Sequence, residues 1–355
     1  MSMLVAALWF KRLAGFPNGV VRIDGKFGLS SHPCAVNTPL SRRNLLRYAG
    51  VTAAGLVLPA PLTACRRGEP PREPRTERLP PARPLDPDHA RLTAWTAALR
   101  AEGLSRLGAP LGRNAIRVGE LAVGTPYEPF TLEAYLGAGG SPSRTEPLTL
   151  SLTRFDCLTL VEACLAVARV ADDEGMPSWE RFGREIERMR YRGGERRGYT
   201  SRLHYFSEWI TDGEKRGLLS DRGAELGGVE DARPLRFMTE HRGSYPALAD
   251  DGVFREIGAM ERGLDGRPRR VVLTERIPEV VDRIQTGDVL AFATEIPGLD
   301  VTHAAFAYRD AERLLRVLHA PLSGGVVEVT RATLPEYVAA IRRSTGILVA
   351  RPLRG

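Results

Sequence analysis

The sequence predicts an α+β fold in which a helical half precedes a mostly antiparallel sheet. Three observations carry this. Apolar residues recur at helical spacing through the earlier part of the folded region, short β-prone runs fill the later part, and the two patterns are segregated instead of alternating as a doubly wound fold requires. At 355 residues, 43% of them hydrophobic, the chain can bury a full core in one large domain or two small ones.

The elements follow in order. Leu92, Trp95, Leu99 and Leu104 recur at near-helical spacing, which predicts a first helix near His89 to Leu104. A second surrounds Ile116 to Leu121, and Gly124-Thr125-Pro126-Tyr127 breaks it. The alternation of Leu148, Leu150 and Leu152 reads as a strand leading to an apolar helix that opens at Phe155-Asp156-Cys157 and runs to Val170. Further helices are predicted at Ser178 to Tyr191 and around His204 to Ile210, joined by a Gly- and Arg-rich loop from Arg192 to Gly198. The period then changes. Asp288 to Thr294, Thr302 to Tyr308, Leu314 to Leu318, Val326 to Val329 and Ile347 to Ala350 read as strands, with a helix at Leu334 to Ile341.

The first 88 residues read as addressing information. Residues 1–40 are a leader of unreadable role or the product of a start placed too early. Residues 41–65 begin with Ser41-Arg42-Arg43-Asn44-Leu45-Leu46, similar to a twin-arginine export signal, and continue through an uncharged, mostly apolar stretch. That stretch ends at Leu62-Thr63-Ala64-Cys65, similar to the lipobox of bacterial lipoproteins, so Cys65 is the expected lipid site. The other reading is an uncleaved anchor. Residues 66–88 are dominated by Pro and Arg and predict an extended tether with a reach of roughly 70 Å. The predicted folded domain is 89–355.

Charge excludes one function class. The net charge of +7 resides before His89, where 13 Lys+Arg face 6 Asp+Glu; 37 of each sign remain beyond. A formally neutral domain is not a nucleic-acid reader.

Of four cysteines only Cys157 and Cys164 fall in the domain. Seven residues along a helix is about 10 Å of rise, too far for a disulfide. Cys164 reads as a buried packing residue. Cys157 sits on the first turn behind Asp156, a good N-cap, where the helix dipole and unpaired N–H groups favour a thiolate. Packing and nucleophile are equal readings until a base is found. His303, at the entrance to the strand Thr302-His303-Ala304-Ala305-Phe306-Ala307-Tyr308, and His319, ending the next run before Ala320-Pro321, flank one predicted hairpin. Histidines at corresponding strand ends can hydrogen-bond, one as base and the other as its orienter.

The order GTPY, FDC, GDV, THAAFAY and LHA resembles the NlpC-type cell-wall cysteine peptidases and amidases, over roughly Leu92 to Arg351. The resemblance implies a papain-like NlpC-type fold, with Cys157 as nucleophile, His303 as general base and then acid, and His319 as the group fixing the His303 tautomer. Tyr127 matches a family tyrosine beside the nucleophile, and with Asp156 it belongs to the expected substrate-binding or oxyanion set. Leu158-Thr159-Leu160-Val161-Glu162 after the cysteine, a long insert at about 175–280, and the stretch from Ser201 to Ile210 resemble a subgroup likened to N-acetylmuramoyl-L-alanine amidases. The insert is expected to wall the substrate cleft. Arg202 reads equally as a contact for a substrate carboxylate or as a surface ion pair.

The expected function is hydrolysis of a peptidoglycan stem-peptide amide by a lipid-anchored, exported enzyme facing the cell wall, without metal or cofactor. The N-acetylmuramoyl-L-alanine bond leads, with a γ-D-glutamyl to diamino acid bond as the alternative. An acyltransferase or transglutaminase would use the same thiol, and a non-catalytic wall-binding lipoprotein is the remaining reading.

Overall fold

The computed structural model describes residues 86–354 apart from 106–108, 137–138, 142–145 and 323–324. The expected leader, export signal and most of the tether, with Cys65, lie outside the described residues. The tether gives way to helix α1, Pro87–Ala101, which Asp86 caps by accepting from the Asp88 N–H and which starts on a proline. Helix α2 is Leu111–Ala122, and α3, the cysteine helix, is Cys157–Asp172. Helices α4, Trp179–Arg190, and α5, Phe206–Lys215, follow, with Ser178 capping α4 through the Arg181 N–H. A helix the sequence patterns do not predict, α6 at Asp251–Gly263, is capped by Asp250. Helix α7, Leu334–Ala340, carries a Thr333/Glu336 capping box.

The sheet has eight strands: β1 Leu219–Asp221, β2 Val229–Asp231, β3 Arg269–Leu273, β4 Val289–Thr294, β5 Val301–Arg309, β6 Leu315–His319, β7 Glu328–Val329 and β8 Ser344–Pro352. Its order is β2-β3-β8-β4-β5-β6-β7, with β1 also on β8, and every pair is antiparallel. Strands β4 to β8 fall where the period-2 runs predict. Strands β1 to β3 come from the expected insert, so part of it extends the sheet, at the end remote from β5 and β6.

The Leu148-Leu150-Leu152 segment is extended but joins no ladder, in contrast to its reading as a strand. Side chains satisfy its backbone instead: Arg190 donates to the Thr149 carbonyl, and Asp88 accepts from the Leu152 N–H.

Alternation along the strands sorts the core into two layers. Val289, Ala291, Ala304, Phe306 and Leu318 face the helical layer. Leu290, Phe292, Ala305, Ala307, Leu315 and Val317 face a smaller cluster covered by Leu334 and Val338 of α7. Helix α3 is mostly apolar and is buried from Cys157 to Ala171 apart from Thr159, as a helix central to its layer must be.

One backbone contact sets how closely α2 approaches the sheet. Gly287, with φ +90°, precedes β4, and a Cβ there would lie 2.2 Å from the Gly112 carbonyl group in the first turn of α2. Gly287→Ala should therefore cost about 3 kcal/mol in urea denaturation, from φ strain and overpacking together. Gly124→Ala, at φ +85° with nothing within 4 Å, should cost only about 1 kcal/mol. Equal losses at the two sites would show that this contact does not constrain the packing.

Candidate active site

The site is assembled from a stapled turn, a helix start and two strand ends. Residues 124–128 run between two other segments. The Tyr127 N–H donates to the Gly325 carbonyl, the Glu128 N–H to the Phe155 carbonyl, and the Phe155 N–H to the Pro126 carbonyl. Tyr127 is thereby held alongside Phe155, two residues from the nucleophile candidate.

Asp156 starts α3 with a capping box. Its Oδ1 accepts from the Thr159 N–H at 2.8 Å, while its own N–H donates to Thr159 Oγ1 at 2.9 Å. The Thr131 hydroxyl donates to Oδ2, so both carboxylate oxygens are engaged. Asp156 is thus first a structural cap, and nothing in these bonds presents it to a substrate.

Cys157, 1% exposed, occupies the first helical position. Its sulfur accepts backbone hydrogen bonds from Ala304, the residue after His303, and from Leu158. These bonds favour the thiolate, as the sequence predicts for a helix N-terminus. They do not prevail. Burial, then the charge of Asp156, pushes the Cys157 thiol up to about 12, so the resting group is a thiol. Cys164 is buried in the core and unbridged, as expected of a packing residue.

His303 and His319 meet. His303 Nε2 and His319 Nδ1 are 2.8 Å apart with the rings edge to face, and His303 stacks on Phe292. Burial holds both imidazoles neutral: His303 lies well below its ordinary value, through burial and then His319, and His319 falls to about 4 through burial. His303 Nδ1 is buried with no hydrogen-bond partner among the described residues. Thiol and imidazole pair therefore rest uncharged, and His303 has one ring nitrogen open.

Two tyrosines feel Cys157 electrostatically. Burial, followed by Cys157, which would ionise before the phenol, and by Asp156, raises the Tyr127 phenol; burial, then Cys157 and Glu328, raises Tyr337. Tyr337 of α7 also lies against the His319 ring, its hydroxyl 3.4 Å from Nδ1. Sequence reasoning missed Tyr337 and Thr131. The Asp156-x-x-Thr159 box was readable as a pattern, whereas nothing in the α7 sequence singles out Tyr337.

Arg202 differs from both of its sequence readings. It is fully buried, its guanidinium over the Tyr135 and Tyr199 rings and paired with Glu146 and Glu133, with Nε 2.9 Å from Glu146 Oε1. The ion pair is interior, and a substrate carboxylate would have to displace Glu146 to reach it.

Residues 117–347 match the family model of N-acetylmuramoyl-L-alanine amidase-like proteins. No curated protein matches. Among solved structures, a N-acetylmuramoyl-L-alanine amidase from Bacteroides uniformis is similar at 29% identity and a TM-score of 0.62, over 68% of this chain and 99% of that one. A Bacteroides fragilis protein provisionally described as a xylanase shares 32% identity with a TM-score of 0.60, over 66% and 99%. A Legionella pneumophila protein at 17% identity and a TM-score of 0.53, over 74% and 94%, shares the fold.

The depressed imidazoles give a pH signature. Between the unfolded value near 6.5 and the folded values, the unfolded chain binds more protons than the native one, so stability falls as pH drops through that window. In NMR titrations the His319 ring should stay neutral down to about 4, and His303 should likewise remain neutral well below 6.5. Imidazole midpoints near 6.5 would contradict the buried, neutral pair.

Proposed function

The chain belongs to the N-acetylmuramoyl-L-alanine amidase-like family, and from that premise we propose that it cleaves the amide between the lactyl group of N-acetylmuramic acid and L-alanine by cysteine catalysis on a papain-like NlpC-type scaffold. The observation that carries the chemistry is the His303–His319 contact with His303 Nδ1 left open, together with a helix-start thiol on which the backbone of Ala304, the residue after His303, acts.

In this reading His303 Nδ1 takes the Cys157 proton as the sulfur attacks the lactyl carbonyl carbon. Backbone N–H groups at the start of α3, with the Tyr127 hydroxyl, hold the oxyanion. The C–N bond breaks, the proton passes from His303 to the alanine nitrogen, and a thioester remains. Water then gives its proton to His303 and attacks the thioester; the C–S bond breaks, and the sulfur regains the proton. A thiol at rest requires proton removal to accompany attack, so His303 matters for kcat more than for KM.

The sequence before Pro87 supports an exported enzyme, lipidated at Cys65 and tethered near the wall it digests. The domain division, with residues 89–355 as the catalytic unit, belongs to the same proposal.

Digestion of purified peptidoglycan should release stem peptides with a free L-alanine amine, weighed by mass spectrometry. Cys157→Ala should release none, and His303→Ala should lose about a hundredfold or more. Identical fragments from wild type and Cys157→Ala would end the catalytic claim. Muropeptides cut at the γ-D-glutamyl bond would move the activity along the stem, and preferential transfer to an added amine would make the protein an acyltransferase. Radiolabelled fatty acid should enter the wild-type chain in a lipoprotein-processing host and be lost in Cys65→Ala; label retained in that variant would remove the anchor.

A further inference from the structure

The histidine pair admits two proton arrangements, and only one is catalytically competent. In the first, His303 carries its proton on Nε2, donates it to His319 Nδ1, and keeps a lone pair on Nδ1. In the second, His319 donates from Nδ1 to His303 Nε2, and His303 Nδ1 holds the proton, leaving nothing to accept one from a thiol. The 2.8 Å contact is compatible with both. Selection can act at the far nitrogen of His319, because a neutral ring protonated at Nε2 has its lone pair on Nδ1.

That nitrogen has a neighbour. His319 Nε2 is buried and without a hydrogen bond among the described residues, and Glu328 Oε1 lies 3.7 Å away. His319 on β6 and Glu328 on β7 are Cα partners in the antiparallel register, which sets both side chains on one face of the sheet. The Glu328 side chain is 53% exposed, while the imidazole it faces is 2% exposed. A carboxylate only accepts: it is attracted by an N–H on Nε2 and repelled by a lone pair there. At 3.7 Å the contact is electrostatic and longer than a hydrogen bond. The Tyr337 hydroxyl, 3.4 Å from His319 Nδ1, can donate to that nitrogen or accept from it, so it fits either arrangement and leaves the selection to Glu328.

We propose that Glu328 is a positioning residue that keeps the His319 proton on Nε2 and so leaves His303 Nδ1 unprotonated for the Cys157 thiol. The proposal rests on the Cys157–His303–His319 reading above. It makes the relay four residues long: Glu328 orders His319, His319 orders His303, and His303 takes the proton. Glu328 touches neither substrate nor sulfur, so its effect must appear in the tautomer first and in turnover second.

The test reads both. Long-range proton–nitrogen NMR spectra of the full ¹⁵N-labelled chain near neutral pH, with the His319 signals assigned through His319→Gln, should show a protonated Nε2 and an unprotonated Nδ1. Glu328→Leu should convert this to a mixture of tautomers and lower kcat about ten- to a hundredfold with KM nearly unchanged, less than a full tautomer switch would cause. Glu328→Gln, whose carboxamide oxygen can still accept, should retain the wild-type tautomer and most of the turnover. A wild-type proton on Nδ1 would overturn the proposal, as would Glu328→Leu with wild-type tautomer or wild-type kcat; a fall in kcat with the tautomer unchanged would place Glu328 on the substrate. The spectra need no substrate. A chain that leaves peptidoglycan intact yet shows the expected tautomer would sink the amidase reading and not this one.

Discussion

The start of a helix buried on all sides is the constraint on which the rest of this molecule depends. Thr159 apart, the first turn of helix α3 is buried, so its orphan N–H groups depend on protein partners. Asp156 and Thr159 do this reciprocally, and Thr131 engages the remaining carboxylate oxygen. The same burial obliges charged side chains along the helix to pair: Glu162 with Arg190, whose Nη2 is 2.7 Å away, and Arg169 with the Leu218 and Leu353 carbonyls and with Glu185. A cap made of side chains, rather than of water, fixes where Cys157 sits relative to the strand carrying Ala304.

Burial also sets the electrostatic character of the site. The helix dipole and two backbone hydrogen bonds pull the Cys157 thiol towards ionisation, but desolvation and the adjacent Asp156 charge outweigh them. The imidazoles are driven the other way by the same desolvation. A resting thiolate–imidazolium pair is thus replaced by three neutral groups whose order is held by hydrogen-bond direction. Directionality then matters more than charge, and the geometry of His303 and His319 bears what an ion pair bears elsewhere.

Much of this was legible in the sequence, for physical reasons that differ element by element. Strands β4 to β6 and β8 announce themselves because one side chain in two must fill each core layer. Strands β1 and β2 do not: Leu219-Ser220-Asp221 and Val229-Glu230-Asp231 are three residues long, with too few apolar positions to show a period, and β2 is largely exposed. The Leu148–Leu152 alternation shows the converse, since a period of two reports extended backbone while pairing depends on what lies alongside. Cys157, His303 and His319 were readable because their residue types are rare and their order is informative. The burial of Arg202 was not, because its partners Glu133 and Glu146 lie 69 and 56 residues away in the chain. Tyr337 escaped because an aromatic residue on a short amphipathic helix is ordinarily packing.

Sheet order separates the candidate site from the insert. The histidine strands β5 and β6 and the short β7 lie at one end, and β1 to β3 of the insert at the other, with β8 and β4 between. Residues 124–128 staple Tyr127 to Phe155 on one side and to Gly325 on the other, and the Val327 N–H donates back to the Thr125 carbonyl just before β7 begins. One short stretch of chain therefore holds both Tyr127, alongside Phe155, and the start of β7, whose Glu328 faces the outer nitrogen of His319. Displacing that stretch would disturb both ends of the proposed relay together, whereas the strands of the insert lie across the width of the sheet from it. The candidate catalytic groups thus lie at the end of the sheet opposite the strands of the insert, which join where a strand can be added without altering the register of β5, β6 and β7.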